Sequence, residues 1–388
     1  MPDGGTVSAR LIERIAEVPA AAWDACAGGN PFVGHAFLDA LEESGSVGAE
    51  AGWLPQHLLI EDGEGRLVGA APMYLKNQSF GEYVFDHGWA HAFERAGGRY
   101  YPKLQVAAPF TPVPGPRLLV RPGDDAREMR KAVIATLETI AERLGVSSVH
   151  VTFATEAEWR LMGEAGWVRR MGQQFHWHNR GYRDFDDFLD ALTSRKRKAI
   201  RKERRDVAAQ GIILSAVSGG EVGAGEWDAF YRFYAATYDR KWGYPYLTRA
   251  FLDIVSATMG EQVVLVLAKK DGRTVAGALN FKGPEAIYGR NWGAAGHYRF
   301  LHFEACYYQA IDYAIRHGLE RVEAGTQGPH KIQRGYLPVA TYSAHYFRNE
   351  SLRDAVADYC AQERRVTRLE MAELSAESPY RQACAHTT

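Results

Sequence analysis

The sequence has few cysteines and no long apolar run, and both absences narrow the class of protein. The four cysteines are Cys26, Cys306, Cys360 and Cys384. No two of them form the C-x-x-C pair on which zinc ribbons and thiol redox centres are built, so we expect no metal site. The first ten residues lack the apolar core of a signal peptide, and no stretch approaches the ~18 apolar residues that span a bilayer. These absences favour a cytoplasmic protein.

An excess of charge of either sign is also missing. Lys plus Arg number 46 and Asp plus Glu number 47, so the formal net charge is −1. A nucleic-acid-binding surface would therefore have to be a local basic patch. Hydrophobic residues at 46% and charged residues at 24% are ordinary for a globular protein. The 388 residues suggest two or three domains, at roughly 150 residues for each domain.

The sequence does contain a weak internal repeat. In the first half an apolar run at 57–60 meets Asp62-Gly63, and a second run follows at 67–71. In the second half the run at 263–268 meets Asp271-Gly272, and the next run follows at 274–278. Asp-Gly between two apolar runs is a strong hairpin signal. Each half is therefore predicted to contain the same β-hairpin.

A second pattern follows the hairpin in both halves, in the order helix, strand, short helix, glycine-aromatic step and strand. In the first half these elements are predicted at about 125–144, 148–153, 156–164, 166–167 and up to 177. In the second half they are predicted at about 301–317, 321–324, after 324, 335–336 and up to 347. Gly145 and Gly318 end the two longer helices as left-handed glycine caps. The order predicts an α/β chain of two domains, each a mixed sheet flanked by helices.

Several segments resemble the FemAB-like group of the GNAT (acyl-CoA N-acyltransferase) superfamily, also described as peptidoglycan biosynthesis or recognition proteins. The resemblance covers nearly the whole chain and rests on the element order and on the segments NPFVGHAFLDALE (30–42), FDHGWA (85–90), YYPKLQ (100–105) and PFTPVPGPR (109–117). It implies two tandem GNAT-like domains at 1–180 and 211–349, joined by a basic helix at 181–210 and followed by a C-terminal helix and tail at 350–388.

The resemblance also implies a function, the transfer of an acyl group to an amine in a cleft between the domains. Ordinary GNAT enzymes take the acyl group from coenzyme A, whereas Fem ligases take an aminoacyl group from charged tRNA. We expect acyl-CoA as the donor substrate and leave aminoacyl-tRNA open; no cofactor is expected to stay bound. The acceptor is expected to be a small amine, an amino acid or a peptide. A degenerate pair that only binds a precursor is the third alternative, because fold alone does not establish chemistry.

Residues 290–295 (RNWGAA) fit the Gln/Arg-x-x-Gly-x-Gly/Ala pattern by which GNAT enzymes hold the donor pyrophosphate. Such a loop offers backbone N–H groups near the start of a helix, where an anion is stabilised. The pattern makes Arg290, Asn291, Gly293 and Ala295 donor-binding candidates. An ordinary loop after a strand is the open alternative.

The stretch 195–205 is a second donor-binding candidate, with eight Lys or Arg residues and one Glu. It resembles the basic linking helix of Fem-type enzymes and makes Arg201 and Lys202 candidates for binding the phosphates of tRNA, coenzyme A or a precursor. The alternative is a helix whose charges face only water. Its predicted apolar stripe is narrow and consists of Leu192, Ala199, Ile200 and Val207.

The segment 323–336 (EAGTQGPHKIQRGY) is predicted to leave a strand through a glycine-rich loop, a common place for functional side chains. Amine attack needs a proton acceptor, and Glu323 and His330 are candidate bases. Lys331 and Arg334 are candidates for holding an anionic group of the substrate. The alternative is a structural ion pair among these charges.

The first half offers polar groups interleaved with aromatic ones, a pattern that suits a substrate cleft. Asp86 is an alternative base. The acceptor-binding candidates are His87, Trp89, Tyr101, Lys103, Tyr288 and, in an aromatic loop at 238–246, Trp242. The alternative for the segment around Asp86 is a loop that packs between the domains.

The C-terminal stretch at about 352–374 is predicted to form an amphipathic helix that packs on the second domain. Its predicted apolar side consists of Leu352, Val356, Tyr359, Val366 and Leu369.

Overall fold

The computed structural model describes residues 7–123, 125–239, 243–325 and 328–381. These residues fall into two units, each assembled from separate stretches of chain. The first unit contains the described residues up to Gly172 together with Tyr246–Ile254 and Ala340–Arg368. The second contains Gln173–Pro245, Val255–Val339 and the described residues from Leu369 onward. The chain thus returns twice to the first unit. The predicted domain boundaries at 180, 210 and 349 give each domain one continuous segment and do not represent this arrangement.

The first unit is built mainly from the first 172 residues. Its strands are β1 (Ser8–Ile12), β2 (Leu54–Pro55), β3 (His57–Glu61), β4 (Leu67–Ala71), β5 (Met73–Lys76), β6 (Lys103–Val106), β7 (Leu119–Val120), β8 (Ser148–Ala154) and the start of β9 (Val168–His178). Its helices are α1 (Ala20–Ala27), α2 (His35–Glu43), α3 (His87–Arg95), α4 (Ala126–Leu144) and α5 (Glu156–Glu164), with a 3₁₀ turn at Ile15–Glu17.

The second unit takes up the chain within β9. Its helices are α6 (Phe185–Asp190), α7 (Ser194–Ala208), α8 (Ala224–Asp239), the end of α9 (Arg249–Thr258), α10 (Leu301–Phe303) and α11 (Gln309–Arg316), with a π-helical turn at Glu304–Tyr308 and 3₁₀ turns at Gly219–Glu221 and Pro329–Arg334. Its strands are β10 (Ile212–Ser218), β11 (Val263–Lys270), β12 (Arg273–Lys282), β13 (Ala286–Ala294) and β14 (Arg321–Glu323). Four elements span a unit boundary: β9 and α9, given above, and β15 (Leu337–Phe347) and α12 (Glu350–Ala376).

The two units share one arrangement of strands. In the first unit β2, β5, β6, β8 and the end of β15 lie side by side, and only the β6–β8 pair is parallel, with Leu104 opposite Val149. A separate antiparallel sheet has the order β1-β3-β4-β7. In the second unit the order is β10-β11-β12-β13-β14-β9, and only the β13–β14 pair is parallel, with Tyr288 opposite Glu323.

The structure confirms both predicted hairpins and both predicted helix ends. β3 pairs with β4 and β11 pairs with β12, each antiparallel across its Asp-Gly turn. Gly145 and Gly318 follow α4 and α11 with φ of 65° and 64°, the left-handed conformation in which glycine has no Cβ penalty. The predicted α/β fold of two repeated units is therefore correct.

The predicted apolar side of the C-terminal helix is partly wrong. Leu352 and Val356 of α12 are buried in the first unit with Trp89 and Phe347, so this part of the helix does not pack on the second unit. Tyr359, Val366 and Leu369 are 49%, 53% and 66% exposed. The buried positions farther along are Cys360 and Thr367, because the helix turns a different stripe inward from the one its largest apolar residues predict.

Gly293 on β13 is required by close packing against α8. A Cβ there would lie 2.4 Å from the carbonyl carbon of Phe233 and 2.6 Å from its oxygen. These are backbone atoms of a helix and cannot move aside cheaply. We expect Gly293→Ala to lower the free energy of unfolding by about 1–3 kcal/mol, measured by urea denaturation.

Gly225→Ala is the matched control for that substitution. Gly225 lies in the first turn of α8 and a Cβ there meets no atom within 4 Å. Alanine favours a helix over glycine by up to about 1 kcal/mol, so this variant is expected to be as stable as the wild type or slightly more so. Equal losses in the two variants would contradict the packing argument.

Candidate active site

Three polar side chains of the second unit stand side by side on neighbouring strands. Tyr288 of β13 lies opposite Glu323 of β14, and Glu323 lies opposite His176 of β9. Residues opposite one another in a sheet point to the same face. Their chain neighbours Ile287, Val322 and Trp177 point to the other face and are buried in the core. The alternation therefore places a polar row over an apolar core at the carboxyl end of β14.

Glu323 is the most unusual group in this row. Its carboxylate is buried, Oε1 accepts a hydrogen bond from Arg321 Nε at 2.9 Å, and Oε2 has no hydrogen-bond partner. Burial raises the pKa of Glu323 to about 7, although Arg321 opposes the shift. A carboxyl group that changes its charge near neutral pH, with one oxygen free, is suited to take a proton from a substrate.

His176 cannot replace Glu323 as a proton acceptor for a cationic amine. Its Nε2 lies 3.7 Å from Glu323 Oε2 and 3.3 Å from Gln174 Oε1. Burial lowers the pKa of His176 to about 3, so the imidazole is neutral at physiological pH. It lines the row as an uncharged polar group.

The ladder between β13 and β14 is short, because β14 ends at Glu323. Their register ends at Tyr288 and Glu323, and the next residue, Gly289, still lies close to Ala324: a Cβ on Gly289 would be 3.7 Å from the Ala324 Cα. Beyond this point a cavity of about 110 Å³ opens between the strands and the π-helical turn. It is lined by Ala278, Leu279, Asn280, Gly289, Arg290, Asn291, Trp292, His302, Cys306, Tyr307, Ala324 and Gly325.

A β-bulge shapes one wall of this cavity. Leu279 pairs with Asn291 and Asn280 pairs with Gly289, so the register shifts and Arg290 has no opposite residue on β12. A bulge re-aims the side chains next to it. Arg290 and Asn291 thereby face the cavity, although residues 290–294 are strand and not the loop that the pyrophosphate motif predicts.

The predicted pyrophosphate loop needs a correction for a second reason. Gly293 pairs with Gly277 in the β12–β13 ladder, and Ala295 N donates to Val275 O at 2.8 Å. Backbone N–H groups engaged in this way are not free to bind an anion. Gly293 of the motif is required instead by the close packing of β13 against α8 described above. Of the four donor-binding candidates in the motif, Arg290 and Asn291 remain as lining residues of the cavity.

Lys331 contacts the two residues that follow β14. Its ammonium is buried and donates to the carbonyl oxygens of Ala324 and Gly325, both at 2.7 Å. No ion pair to Lys331 is seen among the residues that the structure describes, and burial lowers its pKa to about 7. Lys331 therefore fixes the two residues that line the cavity at the exit of β14.

His330 and Arg334 lie on the same 3₁₀ turn but differ in surroundings. His330 is exposed, and its Nε2 lies 3.0 Å from the Tyr307 hydroxyl. Arg334 is buried, and its Nη2 bonds both oxygens of Glu203 at 2.9 and 3.1 Å. The charge of Arg334 is thus already paired, with a residue outside the segment 323–336, and it is not free to hold an anionic substrate.

The matching place in the first unit is filled by its own chain. Beyond the parallel β6–β8 pair, Gly115 N donates to Phe153 O at 3.0 Å and Arg117 Nε donates to Thr152 O at 3.0 Å. Glu158 of α5 accepts from the backbone N–H groups of Arg117 and Leu118 at 2.9 and 2.8 Å. The segment after β6 therefore occupies the space that is a cavity in the second unit.

Asp86 and Lys103 belong to a buried ion cluster, which corrects their assignment to a substrate cleft. Lys103 Nζ lies 2.5 Å from Asp86 Oδ2 and 2.8 Å from Glu82 Oε2, and Lys76 lies 3.5 Å from the other Glu82 oxygen. Burial opposes ionisation of Asp86, but Lys103 holds its pKa well below the ordinary value. Asp86 is therefore a poor base, and Lys103 has no exposed surface for an acceptor.

The aromatic candidates near this cluster are also mainly structural. Trp89 is buried, with its ring 5.0 Å from the His345 ring and edge-on to it. Tyr101 is partly buried, and its hydroxyl lies 2.8 Å from Ser79 Oγ. His87 is partly exposed between the exposed rings of Phe80 and Phe85. His87 and Tyr101 are thus the members of this group that keep a partly exposed surface.

Some cations of α7 form ion pairs and others do not. Arg201 is bound to Asp186 at 2.8 Å, whereas Lys202 is exposed. The predicted apolar stripe is correct at Leu192, Ile200 and Val207, which are buried, and wrong at Ala199, which is exposed. The exposed cations with no ion pair among the described residues are Arg195, Lys198, Lys202 and Arg205.

Some residues of the site carry a signal that the sequence-based prediction overlooked. Gln174 and His176 alternate with the apolar Phe175 and Trp177 along β9, and this period of two predicts one polar face. Asn280 lies two residues after Ala278 on β12 and carries no such signal. The predicted acceptor-binding residue Trp242 lies outside the described residues.

A family model for FemAB-like proteins, described as peptidoglycan biosynthesis/recognition, matches residues 14–382. The chain belongs to the FemAB-like family. A search of curated proteins found no match.

Solved structures similar to this FemAB-like protein share its fold at low sequence identity. FemX is 11% identical with a TM-score of 0.56, over 90% of this chain and 100% of FemX. The C-terminal domain of a putative lysylphosphatidylglycerol synthetase from Agrobacterium fabrum is 11% identical with a TM-score of 0.55, over 91% and 96% of the two chains. A tandem GNAT protein from the clavulanic acid biosynthesis pathway is 13% identical with a TM-score of 0.48, over 89% and 99%. The predicted tandem GNAT fold is confirmed.

Two features are absent from the described residues of this FemAB-like protein. None of the helices is long and apolar enough to cross a membrane. No cluster of three or more His, Cys, Asp or Glu side chains suited to a metal ion is present within those residues.

The raised pKa of Glu323 gives a testable pH dependence of stability. Its unfolded-state pKa is about 4.5 and its folded-state pKa is about 7, so between these pH values the folded state binds more protons and stability falls as pH rises. Glu323→Gln removes this dependence. We expect the free energy of unfolding of the variant, relative to wild type, to rise by up to about 3 kcal/mol from pH 4.5 to pH 8. Urea denaturation of both proteins at each pH measures it, and a difference that stays constant with pH would show that Glu323 is not buried as described.

The ion cluster of the first unit predicts a large loss of stability. Lys103→Met leaves the buried carboxylates of Glu82 and Asp86 without their shared cation, which costs about 3–5 kcal/mol. The control is Lys131→Met, which breaks an exposed ion pair with Glu128 at 2.8 Å and is expected to cost at most about 1 kcal/mol. Urea denaturation compares the two, and equal costs would contradict the buried cluster.

Proposed function

We propose that this protein transfers an aminoacyl group from charged tRNA to the amine of a peptidoglycan precursor peptide, with Glu323 as the general base. The observation that carries the proposal is the buried Glu323 carboxylate. One of its oxygens is free, its pKa is about 7, and it stands at the strand end where the cavity opens. Membership of the FemAB-like family supports a role in cell-wall chemistry.

The reaction needs one proton acceptor. The amine nitrogen attacks the carbonyl carbon of the aminoacyl ester and becomes positively charged, and Glu323 Oε2 removes its proton. The C–O bond to the ribose then breaks, and the leaving oxygen takes up a proton to become the hydroxyl of tRNA. Arg321 holds Oε1 at 2.9 Å and so leaves Oε2 as the oxygen that accepts. A base with a pKa near the working pH serves this step well.

The charge distribution on α7 supports tRNA as the donor. Arg195, Lys198, Lys202 and Arg205 follow one another at intervals of three and four residues, so they share one face of the helix. All four are exposed. The near-neutral chain thus concentrates unpaired positive charge on one helix face, which is what a phosphate backbone requires. This local patch outweighs the neutral net charge that favours acyl-CoA.

Acyl-CoA is the second candidate donor, and the cavity between β13 and β14 favours it. A narrow opening between two strands can receive a slender chain such as the acyl arm of coenzyme A. Gly293 lies in the β12–β13 ladder and Ala295 N donates to Val275 O, so the sequence motif no longer adds support for this donor.

The test is a transfer assay with both donors. The protein is incubated with alanyl-tRNA or acetyl-CoA and with a nucleotide-linked muropeptide as the amine. We expect product with charged tRNA and a kcat/KM that rises with pH through about 7, since Glu323 must be ionised. Glu323→Gln is expected to lower the rate by roughly 100- to 10,000-fold.

The control variant is Glu285→Gln. Glu285 also pairs with Arg321, at 2.9 Å, but it is exposed. Its loss is expected to leave the rate within about threefold of wild type. Full activity of Glu323→Gln would overturn the assignment of the base. Binding of the muropeptide without transfer from either donor would favour a protein that only binds a precursor.

A further inference from the structure

Two phenylalanine rings of the first unit are exposed side by side with a histidine ring. Phe80 and Phe85 are 56% and 67% exposed. Their ring centroids lie 6.1 and 6.3 Å from that of His87, which is itself partly exposed. We call these three rings the aromatic tip. An exposed apolar residue on its own is ordinary, whereas a cluster of exposed rings is typical of a binding surface.

The backbone that carries the two phenylalanine rings is held in place by side chains of the same unit. Phe80 O accepts hydrogen bonds from Trp53 Nε1 at 3.1 Å and from Lys76 Nζ at 3.2 Å. Phe85 O accepts one from Arg170 Nη1 at 2.7 Å. Trp53 and Lys76 are fully buried. The rings therefore project from a fixed backbone, so less ordering entropy is lost when they bind a partner.

The segment between the two phenylalanines is held in a strained conformation. Tyr83 has φ of 59°, which a bulky residue rarely adopts and which costs on the order of 1–3 kcal/mol. Gly81 has φ of 77°, and a Cβ there would lie 2.5 Å from the Phe110 ring. Strain of this kind persists where surrounding contacts enforce it, and it clusters at functional sites. The strain therefore supports a binding role for the rings that this segment displays.

Positive charge continues from the aromatic tip along α3. His87 begins this helix, and His91 and Arg95 follow it at intervals of four residues, so the three side chains share one face. His91 and Arg95 are exposed. The exposed carboxylate of α3 is Glu94. Arg99 follows the helix and adds another exposed guanidinium group.

The other carboxylates next to the aromatic tip are withdrawn from its surface. Glu82 and Asp86 are buried, and both are paired with Lys103 at 2.8 and 2.5 Å. They therefore do not repel an anionic partner. Exposed rings beside exposed cations are the composition of a surface that lies on an anionic lipid bilayer, where the rings enter the headgroup region and the cations meet the phosphates.

We propose that the first unit docks on an anionic lipid bilayer through the aromatic tip, with Phe80 and Phe85 inserted at headgroup level and Arg95 against the lipid phosphates. The contact is reversible, because two rings and a few cations hold a protein far less firmly than a membrane-spanning helix does. This inference goes beyond the proposed transfer reaction and uses none of its residues, since Glu323 and the cavity belong to the second unit.

The experiment measures co-sedimentation of the full chain with two kinds of vesicle, phosphatidylcholine alone and phosphatidylcholine with phosphatidylglycerol. For wild type we expect tighter binding to the anionic vesicles, weakened by added salt. Phe80→Ser and Phe85→Ser should each lower the partition coefficient by about 10-fold. Arg95→Gln should lower it by about fivefold on anionic vesicles only, and Glu94→Gln should raise it there.

Two controls separate the aromatic tip from other surfaces. Ile213→Ser removes an apolar side chain of the second unit that is 76% exposed, and it should leave vesicle binding unchanged. Lys202→Gln removes an exposed cation of α7. Loss of binding in Lys202→Gln, with none in the two phenylalanine variants, would place the contact on α7 and overturn the proposal. Urea denaturation checks that each variant folds, and Arg95→Gln with Glu94→Gln still decides if a phenylalanine variant does not.

The remaining outcomes also decide. Failure of wild type to bind anionic vesicles, or equal binding by wild type and both phenylalanine variants, would overturn the proposal. Binding of a soluble glycan that depends on Phe80 and Phe85, without vesicle binding, would make the aromatic tip a carbohydrate-stacking surface instead. Vesicle binding needs no donor, so it separates the two proposals. Vesicle binding without acyl transfer would refute the proposed function alone, and transfer to a soluble muropeptide without vesicle binding would refute the docking alone.

Discussion

The short parallel pairing of β13 and β14 is the constraint on which the second unit depends. Three residue pairs hold the strands together, and their ladder ends at Glu323. Hydrogen-bonding groups released at such a point need new partners. Lys331 supplies them for Ala324 and Gly325, and the bulge at Arg290 adjusts the other strand. The cavity exists because the gap is held open by these polar contacts and not closed by side chains.

The first unit shows the other outcome of the same strand order. There the chain after β6 passes back along the end of β8, and Arg117 and Gly115 satisfy the carbonyl oxygens of Thr152 and Phe153. Glu158 then secures that segment through two backbone N–H groups. One repeated pattern has thus produced a closed structural unit and an open one, which agrees with a division of labour between stability and binding.

Local signals explain which features the sequence could predict. The Asp-Gly turns and the glycines at 145 and 318 depend on a few neighbouring residues, and they were correct. The motif at 290–295 was misread because a short pattern does not reveal whether its N–H groups are already bonded within a sheet. Asp86 and Lys103 were misplaced because their charges meet across 17 positions of sequence, beyond any local pattern. Glu323 is predicted as a candidate base from its place at a strand exit, whereas nothing local in the sequence marks Asn280 as a lining residue of the cavity.

The two buried charges at the end of β14 shift stability in opposite directions. Burial raises the pKa of the Glu323 carboxyl to about 7 and lowers the pKa of the Lys331 ammonium to about 7. The contribution of Glu323 to the free energy of unfolding therefore falls as pH rises toward 7. The contribution of Lys331 rises as pH rises above 7. The combined contribution of these two groups to the free energy of unfolding is therefore smallest near neutral pH.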